Sequence, residues 1–375
     1  MLKMIIKILR KLFRFLFSRP KNILEKDKIG NLFDLRTNKK IIELNDHINL
    51  KELPYQKYPI DYSKSKIYEN CSEYSIAVLK NCRYFQHRGL DLLAIKSTLL
   101  PFLTINVDYM ALPPNYLRET LALERYPKPF KIKGKTLFLT THGAGSVYGE
   151  WVTGLIPKVG FMYGFDYQFS DFNNIVINSI SKAWQEQLVK LLEIPLEKLI
   201  ETDGSRSFIF EELYVPFGSG HSLKGFDFLR SIGNKLESKS TVHMGKRYFL
   251  SRNKDNWMKV LNEVELNYVF KKYSIELIYI QDYDVNEQIQ IFRESELIIS
   301  SQGSGLTNVV FSNPKTKFIE LYAESNLNST FQCYGYYNGN PYGSLICKDI
   351  HSGHGDKFNI MVDPNELDIV INKII

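Results

Sequence analysis

The chain has little of what would assign it outright to several classes. Its 375 residues include four cysteines, Cys71, Cys82, Cys333 and Cys347, with no CxxC pair. Usage this sparse excludes a disulfide scaffold and reads as reduced thiols in a cytosolic setting. No run of 18 apolar residues occurs, so no segment reads as a membrane-spanning helix. The first stretch also lacks the uninterrupted apolar centre of a cleavable signal. With 44% hydrophobic and 24% charged residues, and no repeat or low-complexity tract, the composition excludes a disordered or collagen-like chain. The length fits two domains of roughly 100–200 residues each.

Acidic residues are missing from the start. Lys3, Lys7, Arg10, Lys11, Arg14, Arg19 and Lys21 all precede the first carboxylate, Glu25, and they equal the whole net charge of +7. The rest sums to zero, so composition gives no polyanion-binding surface and nucleic acid is not an expected partner. Leu2, Ile5, Ile6, Leu9, Leu12, Phe13 and Leu16 recur at helical spacing opposite the cations, up to Pro20. Residues 1–20 are therefore expected to form a basic amphipathic helix lying on an anionic membrane surface. Packing on a protein surface and organelle targeting are the alternatives.

Residues 21–60 read as a connecting arm, 61–235 as a first α/β domain, 236–355 as a second, and 356–375 as a terminal helix. Strand-like and helix-like runs alternate from about residue 80, which argues for parallel α/β layers. In the first domain, strands are expected at Thr136–Thr141, Asn174–Ser179, near Leu199 and at Ser207–Val215. Helices are expected at Tyr148–Val159 and Trp184–Leu192. Gly218, Gly220, Gly225 and Gly233 mark a looser stretch at the domain boundary. In the second domain, Lys246–Ser251, Glu276–Ile280, Glu296–Ser300 and Lys317–Tyr322 read as strands. Trp257–Tyr273 and Asp284–Glu294 read as intervening helices, the layout of a nucleotide-binding domain.

The most informative segment is Ser300-Ser301-Gln302-Gly303-Ser304-Gly305-Leu306-Thr307-Asn308. A strand ends, glycines allow a tight turn, and a helix opens with free N–H groups suited to a pyrophosphate. Thr307 and Asn308 carry side-chain donors. Ser251 and Arg252 end the strand that opens this domain, at the edge where α/β sheets bind ligands, and Arg252 can clamp a phosphate. Glu320, in the strand after the turn, can accept from ribose hydroxyls. Each of these also has an ordinary structural reading: a geometric glycine turn, a solvated cation, a strand-end charge.

The run from KRYFLSR (246–252) through DVNEQIQIFRESELIISSQGSGLTNVVFSNPKTKFIEL (284–321) resembles the carboxyl-terminal signature of glycosyltransferase family 61. Tyr148-Gly149-Glu150-Trp151 and Leu155-Ile156-Pro157-Lys158 are similar to that family's amino-terminal segment. The resemblance implies a GT-B-like fold: two Rossmann-like domains facing a cleft. It implies an inverting, metal-independent transfer from a nucleotide-sugar co-substrate, with no other cofactor. The acceptor would be a glycan or lipid-linked saccharide in surface polysaccharide synthesis, at the cytoplasmic face of the membrane. By position, Ser251, Arg252, Gly303, Ser304, Gly305, Leu306, Thr307, Asn308 and Glu320 would hold the donor. Gln302 stands where His is common, and Glu150 where the family often has His. Glu150 or His142 is the candidate base. A non-catalytic glycan- or nucleotide-binding protein on such a fold is the alternative function.

Four other patterns are weaker. Gly143 to Gly149 has dinucleotide-like spacing, but the strand after it lacks the acidic residue expected for NAD. Asp282-Tyr283-Asp284 resembles a metal-binding DxD, yet Asp284 with Glu287 forms a capping box. His351 to Asp356 could gather metal ligands but reads as a glycine-rich loop. Tyr334-Gly335-Tyr336-Tyr337 and Tyr342 suit either sugar stacking or packing.

Overall fold

A computed structural model describes residues 22–23, 74–87, 90–95, 98–99, 128–141, 145, 147–203, 206–218, 223–236, 243–328, 330–350 and 358–375. These divide between Gly225 and Phe226 into two compact units. The architecture is α/β, with one sheet in each unit. The amphipathic segment 1–20 lies outside the described residues.

In the first unit the strands are β1 (Asn22–Ile23), β2 (Tyr74–His87), β3 (Leu90–Ile95), β4 (Thr98–Leu99), β5 (Pro129–Phe138), β6 (Asn174–Asn178), β7 (Leu199–Thr202) and β8 (Ser207–Gly218). Their order is β1-β4-β3-β2-β8-β5-β6-β7. The parallel part, β7-β6-β5-β8, is third-second-first-fourth in chain order, the beginning of the dinucleotide-fold arrangement. The inner strand β6, Asn-Ile-Val-Ile-Asn, buries its last four residues, as a parallel strand covered on both faces must. β2 and β3 extend the sheet as an antiparallel pair. A helical run follows β5: one turn at Tyr148–Glu150, a π-turn at Trp151–Leu155, then α1 (Ile156–Gly164). Pro157 lies near the junction of the π-turn and α1, where the helical ladder is already irregular. α2 (Ala183–Leu191) joins β6 to β7.

The second unit holds β9 (Arg247–Leu250), β10 (Ile275–Ile278), β11 (Leu297–Ser301), β12 (Lys317–Ala323), β13 (Tyr342–Ile350) and β14 (Asn359–Met361), in the order β10-β9-β11-β12-β13-β14. The first five are parallel and β14 is antiparallel. Second-first-third-fourth-fifth is a doubly wound order, and its direction reverses between β9 and β11. Ligands of such sheets bind beyond the strand ends at that reversal. The helices are α3 (Leu223–Lys235), which begins three residues before the division, α4 (Asn267–Tyr273), α5 (Val285–Glu294), α6 (Thr330–Asn338) and α7 (Pro364–Ile374). Phe249, Leu297, Ile299, Ile319 and Leu321 line one face of the sheet's core, with Leu266, Phe270, Leu367 and Ile371 from the helices.

Several sequence expectations need revision. The looser glycine stretch contains α3, with Gly233 packed against Arg293 and the Phe311 carbonyl where a larger residue would crowd. The helix expected at 257–273 begins only at Glu263, because Val260 pairs in a bridge with Ile360 and Ser301 binds the Met258 carbonyl. The strands β2, β3, β13 and β14 were not foreseen. The capping box is present: the Asp284 carboxylate accepts from the Glu287 N–H and Glu287 accepts from the Asp284 N–H. Asp282 pairs with Lys254.

Candidate functional site

In the second unit, β9 and β11 end side by side at the reversal of the sheet. The Ser251 N–H donates to the Ile278 carbonyl, which closes the strand end, and the chain turns at Arg252. The Arg252 guanidinium crosses to the turn after β11. A Cβ placed on Gly303 would lie 1.5 Å from Arg252 Nη1 and 2.3 Å from its Cζ. Gly303 is extended, at φ 167°, so the requirement for glycine is purely steric. A Cβ on Gly305 would lie 2.9 Å from Ile280. Both glycines therefore permit a close approach, one of them to the cation.

Arg252 is largely buried, and one terminal nitrogen pairs with Asp255 at 3.2 Å. Its Nε is buried without a hydrogen-bond partner. Burial works against the guanidinium charge and Asp255 supports it. A buried donor left without an acceptor costs about 1–3 kcal/mol, which an anion at this position would offset. The turn continues into a 3-10 helix, Ser304–Phe311, whose first N–H groups have no carbonyl above them within the helix. The Leu306 N–H closes back on the Gly303 carbonyl. Ser304 is exposed, and Gly303 and Gly305 are half-buried.

The other residues expected around the donor have different surroundings. Leu306, Thr307 and Asn308 are buried. The Asn308 amide donates to Gln288 of α5 and to the Gly305 carbonyl, which pins the turn from below. The Ser251 hydroxyl donates to Glu263 and accepts from the Asn253 N–H, shaping the corner that carries Arg252. Glu320 has no exposed surface. Its Oε1 accepts from Gln302, and its Oε2 from the hydroxyls of Tyr322 and Tyr342, so both oxygens are engaged within the unit. Burial pushes its carboxyl up to about 7 against those three donors. Glu320 is thus framed to orient protein groups rather than to receive a ribose. Asp255, Asn253 and Glu263 escaped sequence reading because their roles depend on the turn after β9.

In the first unit, Glu150 lies just beyond the end of β5. The Gly154 backbone packs so closely on Thr141 that a Cβ there would lie 2.8 Å from the threonine hydroxyl. One turn further on, the fully buried Lys158 ammonium donates to the Thr140 carbonyl. Glu150, Gly154 and Lys158 recur at four-residue intervals, and the π-turn between them keeps such positions near one face. That face lies against the end of β5 through Gly154 and Lys158. Burial raises the Glu150 carboxyl to about 7. Tyr148 and Trp151 each meet Trp184 edge-on, at 5.3 and 5.7 Å, forming an aromatic wall beside it. Gln185 of α2 donates to the Gly145 carbonyl and so ties the glycine-rich loop to the end of β6. His142, the alternative base, lies outside the described residues, as does the 351–356 loop.

Below Glu150 is a polar cluster that sequence reading missed. Asp91 of β3 accepts from Tyr84 at 2.6 Å and from Gln86 at 3.3 Å, and Asn178 of β6 approaches it at 3.5 Å. Burial raises Asp91 to about 6 and lowers Lys158 to about 8. Each charge supports the other across the cluster: Lys158 favours the Asp91 carboxylate and Asp91 favours the Lys158 ammonium. The signal available in sequence was Lys158 itself, a lone cation in the apolar run Ile-Pro-Lys-Val-Gly-Phe-Met.

The family model described as Glycosyltransferase 61 matches residues 100–319. No curated protein matches the chain.

Proposed function

As the chain belongs to the glycosyltransferase 61 family, we propose that it is an inverting, metal-independent enzyme that transfers a hexosyl or pentosyl unit from a nucleotide-sugar donor to a glycan or lipid-linked acceptor. On this reading the fold is GT-B-like. The second unit holds the donor's diphosphate between Arg252 and the open N–H groups at Gly303, Ser304 and Gly305. The acceptor meets the first unit near Glu150 and the Tyr148–Trp151–Trp184 wall. The acceptor oxygen attacks the anomeric carbon, the bond from that carbon to the phosphate oxygen breaks, and the proton passes to a base. The nucleoside diphosphate departs with its new charge against Arg252.

Glu150 suits the base because burial raises its carboxyl to about 7, so near neutrality a large share is ionised and basic enough to take the proton. His142 is the alternative. We place the enzyme at the inner membrane face, held by residues 1–20, in surface polysaccharide synthesis. One observation carries the donor reading: a buried arginine with an unpaired nitrogen laid across a glycine turn, at the reversal of a doubly wound sheet.

Calorimetric titration with uridine, guanosine, cytidine, adenosine and thymidine diphosphates tests it. One nucleotide series should bind the wild type, and Arg252→Ala should weaken that binding by about 10- to 100-fold, as loss of a charge-assisted phosphate contact does. Binding by no nucleotide, or equal binding by the variant, would overturn the reading.

A further inference from the structure

Gln302 immediately precedes Gly303, and its amide is held on three sides within the second unit. Its nitrogen donates to Glu320 at 3.1 Å and to the Asn328 carbonyl, and its oxygen accepts from Asn326 at 3.1 Å. The glutamine is only 5% exposed. Glu320, on the neighbouring strand β12, is in turn held by Tyr322 at 2.5 Å and Tyr342 of β13 at 2.7 Å. The Tyr342 ring cannot retreat: Gly335 of α6 lies so close that a Cβ there would be 2.4 Å from it. A chain of contacts thus runs from α6 through Tyr342, Glu320 and Gln302 to the backbone of the glycine turn.

We infer that Glu320, acting through Gln302, is a positioning residue that sets the glycine turn for the donor's diphosphate. This rests on the donor reading above, but it gives Glu320 a role away from the ligand. Turning the backbone at Gln302 would break three hydrogen bonds in a buried site, so the open N–H groups are held in place before any ligand arrives.

The network also has a preferred protonation state. As a carboxylate, Glu320 accepts from all three donors. Once protonated, its own hydrogen takes up one of those acceptor positions, and a tyrosine hydroxyl must turn round to accept it. The groups acting on it are Tyr322 from β12, Tyr342 from β13 and Gln302 from the turn after β11, with Cys333 of α6 near Tyr342. Burial pushes the carboxyl up to about 7, so the network completes itself as the pH rises through neutrality.

The test is calorimetry on the full chain with the same nucleoside diphosphates, from about pH 5.5 to about pH 8.5, for wild type, Gln302→Ala, Glu320→Gln, Tyr342→Phe and Arg252→Ala. Above neutrality, Gln302→Ala and Glu320→Gln should bind about tenfold more weakly than wild type, the loss of one hydrogen bond to a charged group. The ratio of wild-type to Glu320→Gln affinity cancels the ligand's own titration. That ratio should rise with pH through about 7. Tyr342→Phe keeps the carboxylate and should fall between, which preserves the test if the other variants fold poorly. Wild-type affinity and an unchanged pH profile in all three network variants, with binding still lost in Arg252→Ala, would overturn the inference alone. No nucleotide binding by the wild type would bring down the donor reading first, and this inference with it.

Discussion

Gly303→Ala isolates the contact on which the proposed donor binding depends. The added methyl would sit 1.5 Å from Arg252 Nη1. The backbone at 303 is extended and accepts alanine without strain, so the cost falls on the arginine. Arg252 is long and can swing away, so the fold should survive, but its guanidinium then leaves the turn. Losing a charge-assisted contact to phosphate costs about 1.5–3 kcal/mol, or roughly 10- to 150-fold in affinity. Calorimetry with the bound nucleoside diphosphate measures this, with circular dichroism to check the fold. The decisive step is the double variant. With Arg252 already alanine, the methyl at 303 has nothing to strike, so Gly303→Ala should cost almost nothing further. Additive losses in the double variant, or a single variant within twofold of wild type, would refute the steric argument.

Three further outcomes follow from the first unit and the amino terminus. Glu150→Gln should cut turnover by about 10²–10⁴-fold while leaving nucleotide affinity intact, and wild-type turnover should fall as the pH drops below about 7, where a base must be ionised to act. Steady-state kinetics on Glu150→Gln that kept wild-type turnover and its pH dependence would assign the base elsewhere. Lys158→Met should destabilise the protein by about 1–3 kcal/mol in urea melts, since it leaves the Thr140 carbonyl without its donor and removes a charge that favours the buried Asp91 carboxylate, whereas no measurable loss would mean the lysine carries little weight. Deleting residues 1–20 should move the protein from the vesicle-bound to the soluble fraction in flotation assays with anionic lipid. High salt should weaken wild-type binding only in part, because apolar burial is not screened, and equal binding by the truncated chain would exclude the segment as the anchor.

Local chemistry was legible along the chain. The apolar run of β6, the Asp284–Glu287 capping box and the glycine turn after β11 depend on neighbours within a few residues, and sequence displays such neighbours directly. The terminal helix, expected over 356–375, starts only at Pro364, after β14, where Asp363 accepts from the N–H groups of Asn365 and Glu366. The helix expected from Trp257 was shortened by partners about a hundred residues away, Ile360 above all, which no local pattern encodes. The antiparallel strands β2 and β3 escaped for the same reason: β2 is set by pairing with β8, far along the chain.

The sequence by itself determined an α/β chain, the alternating strand-and-helix layout of its second half, and the family whose signature it carries. Charge spacing, periodicity and glycine placement are written residue by residue. Only the tertiary structure decided what the key side chains touch. It laid Arg252 across Gly303, because strand order brings the ends of β9 and β11 together. It enclosed Glu320 among Gln302, Tyr322 and Tyr342, because three adjacent strands place those donors around one carboxylate. The physical reason is burial: a carboxylate's role depends on which groups replace its water, and the fold chooses those groups.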